Sequence, residues 1–174
     1  MTMLKRLSVV LLAAGESRRM GELNKLTLPV DGVPLLRRTA MMLSNYGRAE
    51  GCGFAQVVVV TGHKQREAVE QLSGLPTRLA HNSDYTDGQM SSVLCGLRAL
   101  NQPVDGVVIC LSDLPLLDLE DLRAIHQAFT TAEKPILVPT FEGQRGNPIV
   151  LAFEQVEEII STGRNLGCKH LIER

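Results

Sequence analysis

Three cations and a run of very small side chains stand close together near the amino end of the chain. Leu12-Ala13-Ala14-Gly15 runs into Glu16-Ser17-Arg18-Arg19-Met20-Gly21, and Lys25 follows four residues after Gly21. Alanine and glycine let a ligand approach the backbone closely, and glycine takes positive φ without steric cost. Successive backbone N–H groups in such a turn can point at a phosphate. Arg18, Arg19 and Lys25 add fixed positive charge beside them. The chemistry this pattern suits is anion binding, with phosphate as the natural guest. A second constellation is Ser112-Asp113-Leu114-Pro115, a carboxylate after an apolar run. A carboxylate placed beside a phosphate loop suits Mg²⁺. The plain alternatives are a glycine turn with solvated arginines, and an aspartate that caps a helix or forms a turn. Two familiar phosphate motifs are excluded. No Gly-Lys-Ser/Thr follows Gly15, and Gly15 has no glycine partner two residues away, so neither a Walker loop nor a dinucleotide fingerprint is present.

The elements that must position these residues follow from hydrophobic patterning. Leu7 to Leu12 is apolar except for Ser8 and reads as a buried strand. The small-residue turn therefore sits at a strand's carboxyl end, where open α/β sheets bind ligands. Leu28 and Val30 suggest a short extended piece before a turn at Asp31-Gly32, and Pro34 is expected to open a helix as its first residue. A second strand, Ala55 to Val60, ends at Thr61-Gly62-His63. At that strand mouth His63 reads as a ligand contact rather than a surface histidine. Lys64 to Leu72 reads as a helix with Ala68, Val69 and Leu72 facing inward. Thr77 to His81 is a weaker third strand, followed by the polar stretch Asn82 to Ser92. Ser91 or Ser92 is expected to cap a helix over Val93 to Leu100. Val107 to Leu111 is a fourth strand and Asp118 to Ala128 a helix, whose His126 reads as surface or core. Pro135 to Pro139 is a fifth strand, Gly143 to Pro148 a tight hairpin, and Phe153 to Ile160 a helix. Strands alternating with helices predict an α/β fold with a mostly parallel sheet, and the late hairpin predicts one antiparallel strand.

Bulk properties narrow the function classes. The 174 residues suit one domain spanning 1–174, with 44% hydrophobic and 21% charged residues. A net charge of −1 offers no basic field for nucleic acid, and 3% aromatic content with no Trp offers no stacking platform for bases. The four cysteines, at positions 52, 95, 110 and 168, show no Cys-x-x-Cys spacing, which gives no structural zinc site and suits a reducing cytoplasm. The apolar run after Lys5-Arg6 is short and ends in charge, so it reads as a strand rather than a signal peptide. No apolar run is long enough to span a membrane.

The combination of Leu12, Ala13, Ala14 and Gly15 with Arg19, Met20, Gly21 and Lys25 resembles the opening signature of the molybdopterin nucleotidyltransferases, a family of NTP transferases. Ala-Ala-Gly, rather than Ala-Gly-Gly, is similar to the cytidylyl-transferring branch, the molybdenum cofactor cytidylyltransferases. The likeness continues at Asn82, Tyr85, Gly88, Ser91 and Ser92, at Asp113 with Pro115, and at Gly143, Gly146, Asn147 and Pro148. It thins at the carboxyl end, where Gly167 is kept but Asn165 stands for an Asp and Lys169 for an Arg.

The resemblance implies a three-layer Rossmann-like nucleotidyltransferase domain. It implies transfer of CMP from CTP, or of a nucleotide from another NTP, to a molybdopterin-type acceptor with release of pyrophosphate. Arg19 and Lys25 would hold the triphosphate, and Asp113 would hold Mg²⁺. Leu12, Ala13, Ala14, Gly15, Ser17, Met20 and Gly21 would shape the nucleotide pocket, with Ala14 and Gly15 at base and ribose. Gly62, His63, Asn82, Ser91 and Ser92 would line that pocket or its acceptor side. Arg145, Gly146 and Asn147 would meet the pterin or its phosphate. A molybdoenzyme or its chaperone is the implied protein partner, with neither nucleic acid nor membrane. Two other readings stay open: a transferase for another base or phosphorylated small acceptor, and a non-catalytic nucleotide- or cofactor-binding accessory protein.

Overall fold

The structure is a computed structural model that describes residues 3–16, 25–132 and 134–162. It begins with β1 (Leu7–Ala13), buried along its whole length. A strand covered on both faces must be apolar on both, which is why this segment shows no alternation. A 3-10 turn at Lys25–Thr27 leads to a small hairpin of β2 (Pro29–Val30) and β3 (Val33–Pro34). Its turn is Asp31-Gly32, with φ of 51° and 79°, the left-handed pair that an Asp-Gly hairpin turn requires. α1 (Leu35–Asn45), β4 (Val57–Thr61), α2 (Gln65–Leu72) and β5 (Arg78–His81) follow. A 3-10 turn at Tyr85–Asp87 precedes α3 (Gln89–Arg98), β6 (Gly106–Leu111) and α4 (Leu119–Thr131). The last described elements are β7 (Ile136–Leu137), a hairpin of β8 (Thr140–Phe141) and β9 (Gln144–Arg145), β10 (Ile149–Ala152) and α5 (Phe153–Thr162).

The main sheet has the order β5-β4-β1-β6-β10-β7. β1 pairs in parallel with β4 on one side (Leu12↔Val60) and with β6 on the other (Leu12↔Leu111). β10 runs antiparallel to both β6 and β7, so it is the one reversed strand among the described residues of this sheet. The expected α/β fold with a mostly parallel sheet is what the chain forms. From β1 the chain winds outward through β4 to β5, then returns to place β6 on the other flank of β1. That reversal between β1 and β6 opens a crevice at their carboxyl ends, the usual ligand position in such sheets.

Alternating side chains of the sheet bury two helix layers. On one face Val9, Leu11, Val59, Val108 and Cys110 pack against Leu36, Ala40 and Leu43 of α1, Ala68 and Leu72 of α2, and Leu122 and Phe129 of α4. On the other, Val10, Leu12, Val60, Val107 and Ile109 pack against Val93 and Leu97 of α3 and Val156 and Ile159 of α5. α3 comes closest. A Cβ on its Gly96 would overlap Val10 Cγ1 and stand 2.8 Å from Val60 Cγ2.

Several sequence expectations change. Pro34 does not begin the helix; its ψ of 136° is extended, it pairs with Pro29 in the hairpin, and α1 starts at Leu35. Val69 does not face inward and is 38% exposed, since the eight-residue α2 buries only Ala68 and Leu72. α3 begins at Gln89 rather than Val93 and has no serine cap; Gly88, at φ 99°, precedes it. The strand expected over 135–139 shortens to Ile136–Leu137. His126, read as surface or core, is core: it is buried, its Nδ1 3.0 Å from Tyr46 Oη and its Nε2 2.7 Å from the Lys5 carbonyl oxygen. Among the described residues no helix is long and apolar enough to cross a membrane.

Candidate active site

The crevice between β1 and β6 is a cavity of about 370 Å³. The end of β1 contributes Leu12, Ala14, Gly15 and Glu16, and the end of β6 contributes Leu111, Ser112 and Asp113. Lys25 and Leu26 close one side. Tyr85, Thr86, Gly88, Gln89 and Ser92 close another, from the 3-10 turn and the start of α3.

At its polar heart Lys25 Nζ donates to Asp113 Oδ2 at 2.6 Å. Both side chains are partly open to solvent, at 35% and 40% exposure, so a ligand can reach either one. The geometry behind Asp113 is fixed from two directions. The buried Ser112 hydroxyl donates to the Leu12 carbonyl oxygen at 2.6 Å, tying the end of β6 to β1. Arg38 Nη1 of α1 donates to the Pro115 carbonyl oxygen at 2.9 Å, tying down the far side of the same loop. Burial, and secondarily the charge of Asp113, pushes the thiol of the buried Cys110 on β6 up to about 12.

Gly62 is required where β4 ends. A Cβ there would stand 2.8 Å from both Ala14 Cβ and Tyr85 Cβ and 3.0 Å from the Ala14 carbonyl oxygen. The His63 N–H donates to that same oxygen at 3.3 Å, and the His63 ring lies 6.0 Å from the Tyr85 ring. Gly62 and His63 thus brace the Ala14 turn and Tyr85 from behind.

The structure brings Leu12, Ala14, Gly15, Lys25, Ser92 and Asp113 together around one cavity. Ala13, Gly62, His63, Asn82 and Ser91 are not part of its lining. Asn82 is 5% exposed and donates from Nδ2 to the hydroxyls of Ser91 and Ser92. Arg145 is on β9, and the Gly146 N–H donates to the Pro139 carbonyl oxygen at 2.8 Å; these residues and Asn147 also lie outside the lining. Ser17, Arg18, Arg19, Met20 and Gly21, together with Asn165, Gly167 and Lys169, lie outside the described residues. Tyr85, Thr86, Gln89 and Ser112 line the cavity without having been singled out as binding residues. The signals that mark them are adjacency to Asp113 for Ser112, and the Tyr-x-x-Gly spacing ahead of a helix for the rest.

Asp113 offers a carboxylate of the kind that hard divalent cations take. Among the described residues there is no group of three or more His, Cys, Asp or Glu side chains that could hold an ion by themselves. Mg²⁺ is commonly held by one or two carboxylates together with substrate phosphates and water, rather than by an all-protein cage. A single carboxylate in a crevice of about 370 Å³, large enough for a phosphate-bearing ligand, is compatible with that donor set.

Comparison with known proteins identifies the family and the fold. The family described as MobA-like NTP transferase domain matches residues 9–173. The chain is 33% identical over 171 residues to the bifunctional protein GlmU of Clavibacter sepedonicus, covering 92% of this chain and 34% of that protein. It is 30% identical over 118 residues to a probable molybdenum cofactor guanylyltransferase of Natronomonas pharaonis, covering 68% of this chain and 54% of that one. The chain therefore spans between a third and about half of the length of these curated relatives. Its fold is similar to that of a nucleotidyl transferase from Methanothermobacter thermautotroptrophicus, with a TM-score of 0.72, 24% identity, and 90% and 76% of the two chains covered.

Proposed function

The chain belongs to the MobA-like NTP transferase domain family, and from that premise we propose that it transfers CMP from CTP to a terminal phosphate of a molybdopterin-type acceptor, with Mg²⁺ and with release of pyrophosphate. The observation that carries this reading is the Lys25–Asp113 pair, held at 2.6 Å across the β1–β6 crevice beside the Ala14-Gly15 turn. A cation for phosphate oxygens and a carboxylate for a metal are the two charged groups that phosphoryl chemistry asks of a protein.

In the proposed reaction the turn at Ala14 and Gly15 receives the nucleoside, and the triphosphate extends towards Lys25. An acceptor phosphate oxygen attacks the α-phosphorus, a new P–O bond forms, and the bond to the β-phosphate bridging oxygen breaks. Lys25, with Arg19, stabilises the charge that gathers on the departing pyrophosphate. Positioning and charge stabilisation supply the rate, since little covalent work falls to the protein. Asp113 would hold Mg²⁺, whose contribution when bound is to neutralise charge on the phosphate oxygens. Arg145, Gly146 and Asn147 are proposed to meet the acceptor.

Guanylyl transfer is the competing reading, favoured by the name of the Natronomonas relative. Titration calorimetry with CTP, GTP and ATP in Mg²⁺, followed by a pyrophosphate-release assay with a molybdopterin acceptor, separates the possibilities. Preferential binding of CTP with pyrophosphate release is expected. Tighter binding of GTP would transfer the assignment to the guanylyl class. Nucleotide binding without pyrophosphate release would favour a non-catalytic accessory role.

A further inference from the structure

We propose that Asn82 is a positioning residue: it turns the Ser92 hydroxyl into a hydrogen-bond donor aimed into the cavity, where it meets an acceptor atom of the bound nucleotide. The identity of that guest rests on the nucleotidyl-transfer reading above. The polarity of the hydrogen bonds does not.

Asn82 is 5% exposed and sits where β5 ends. Its own N–H donates to the Thr61 carbonyl oxygen at 2.8 Å, which holds it to the end of β4. Its Oδ1 accepts from the backbone N–H of Asp84 at 3.0 Å. A backbone N–H can only donate, so this bond fixes which way round the side-chain amide lies. Nδ2 must then face the two serines, and it donates to Ser91 Oγ and to Ser92 Oγ, both at 2.9 Å. The amide is fully used, and it joins three segments: the end of β5, the approach to the Tyr85–Asp87 turn, and the first turn of α3.

Each serine hydroxyl that accepts from Asn82 still has one proton to donate. Ser91 has carbonyl oxygens in reach for its proton, that of Asp84 at 2.9 Å and that of Gly88 at 2.8 Å. Ser92 differs. It accepts from Asn82, it is 5% exposed, and it lines the cavity. Among the described residues no protein acceptor takes its proton. A buried donor left unmet is costly, so the group that fills this part of the cavity must present an acceptor. Asn82 therefore acts on the ligand through Ser92 without touching it. This replaces the direct contact expected of Asn82 from the sequence.

The test uses the full chain and two readouts. In ¹⁵N-labelled protein the two side-chain amide protons of Asn82 are expected to exchange slowly with water, and Ser91→Ala and Ser92→Ala are each expected to release one of them. Free exchange of both in the unaltered protein would overturn the proposal whatever the protein binds. The second readout is calorimetric titration with CTP and GTP in Mg²⁺. Asn82→Asp keeps the size and turns both side-chain donors into an acceptor, so the Ser92 proton is drawn away from the cavity. Loss of one net hydrogen bond predicts affinity weaker by about 3- to 10-fold. Ser92→Ala is expected to cost the same, and the double variant no more than either single one. Unchanged affinity in a folded Asn82→Asp protein, or additive losses in the double variant, overturns the positioning role. If Asn82→Asp does not fold, Ser92→Cys, a weaker donor at the same place, is expected to fall between the unaltered protein and Ser92→Ala; unchanged affinity there overturns the proposal equally. If the unaltered protein binds no nucleotide while the amide stays protected, the nucleotidyl-transfer reading falls and takes the nucleotide partner of Ser92 with it.

Discussion

Lys25 and Asp113 lie 88 positions apart in the chain and meet at 2.6 Å. The sequence marked each as a candidate charge beside one crevice, Asp113 at the end of β6 and Lys25 in the segment after β1, but their direct pairing is visible only in the structure. Lys25→Ala is expected to reduce turnover by about 10²-fold or more, the usual cost of removing one group that stabilises developing charge. Folding should be spared, since the residue lies in a partly exposed turn; steady-state kinetics beside a thermal melt checks both. Ala14 is a finer case. It lines the cavity but is 4% exposed, and it is packed closely against Gly62. Ala14→Gly is therefore expected to narrow the preference for CTP over GTP by the lower end of the ~1–3 kcal/mol that a methyl-sized misfit commands. Competitive calorimetry on the two proteins reads this difference. Tyr85, Thr86 and Gln89 were harder to foresee as lining residues. Their place depends on how the segment after β5 folds back, and that is set by Asn82, Ser91 and Ser92 hydrogen-bonding across nine and ten positions of chain.

At the scale of elements, the strands were the most legible part. β1, β4 and β6 are short apolar runs, broken in β1 by Ser8 alone, whereas their order in the sheet is visible only in the structure. Helix starts were less so. A serine just ahead of an apolar period reads as a cap. Here the serines belong inside α3, because Asn82 engages both hydroxyls. Pro34 misled in the same way, since a proline suits the end of a two-residue strand as well as a first helical turn. Gly96 is invisible to any periodicity, yet it decides how closely α3 lies on the sheet. Gly96→Ala drives a methyl group into Val10 and Val60 and is expected to destabilise the fold by about 1–3 kcal/mol, the range for overpacking a filled core. α3 also carries Gln89 and Ser92, so a displaced helix should weaken nucleotide binding as well. Urea denaturation and calorimetry on the same preparation check the two effects.

For the molecule as a whole, Cys110 reports the intactness of the core. Burial raises its thiol from an ordinary value of 9.0 to about 12. The unfolded chain therefore releases this proton at lower pH than the folded one. The sign follows: this contribution to stability is complete below about pH 9 and is lost progressively as pH rises through about 12. Thiol labelling at pH 8 should leave Cys110 unmodified in the native protein and modify it on unfolding, and denaturation midpoints should begin to fall above about pH 9. The Lys25–Asp113 pair has a consequence of another kind. On the roles proposed for the two residues, the ammonium of the free protein stands where a metal would meet the carboxylate, and the carboxylate stands where a phosphate would meet the lysine. Loading is thus a change of partners. A metal or a nucleotide arriving alone must part the pair and strand one member, whereas the two arriving together replace both contacts at once. Titrations of Mn²⁺ alone, of nucleotide with chelator, and of the two combined should show tightest binding when they are combined, with the chain refusing either guest until its companion comes too.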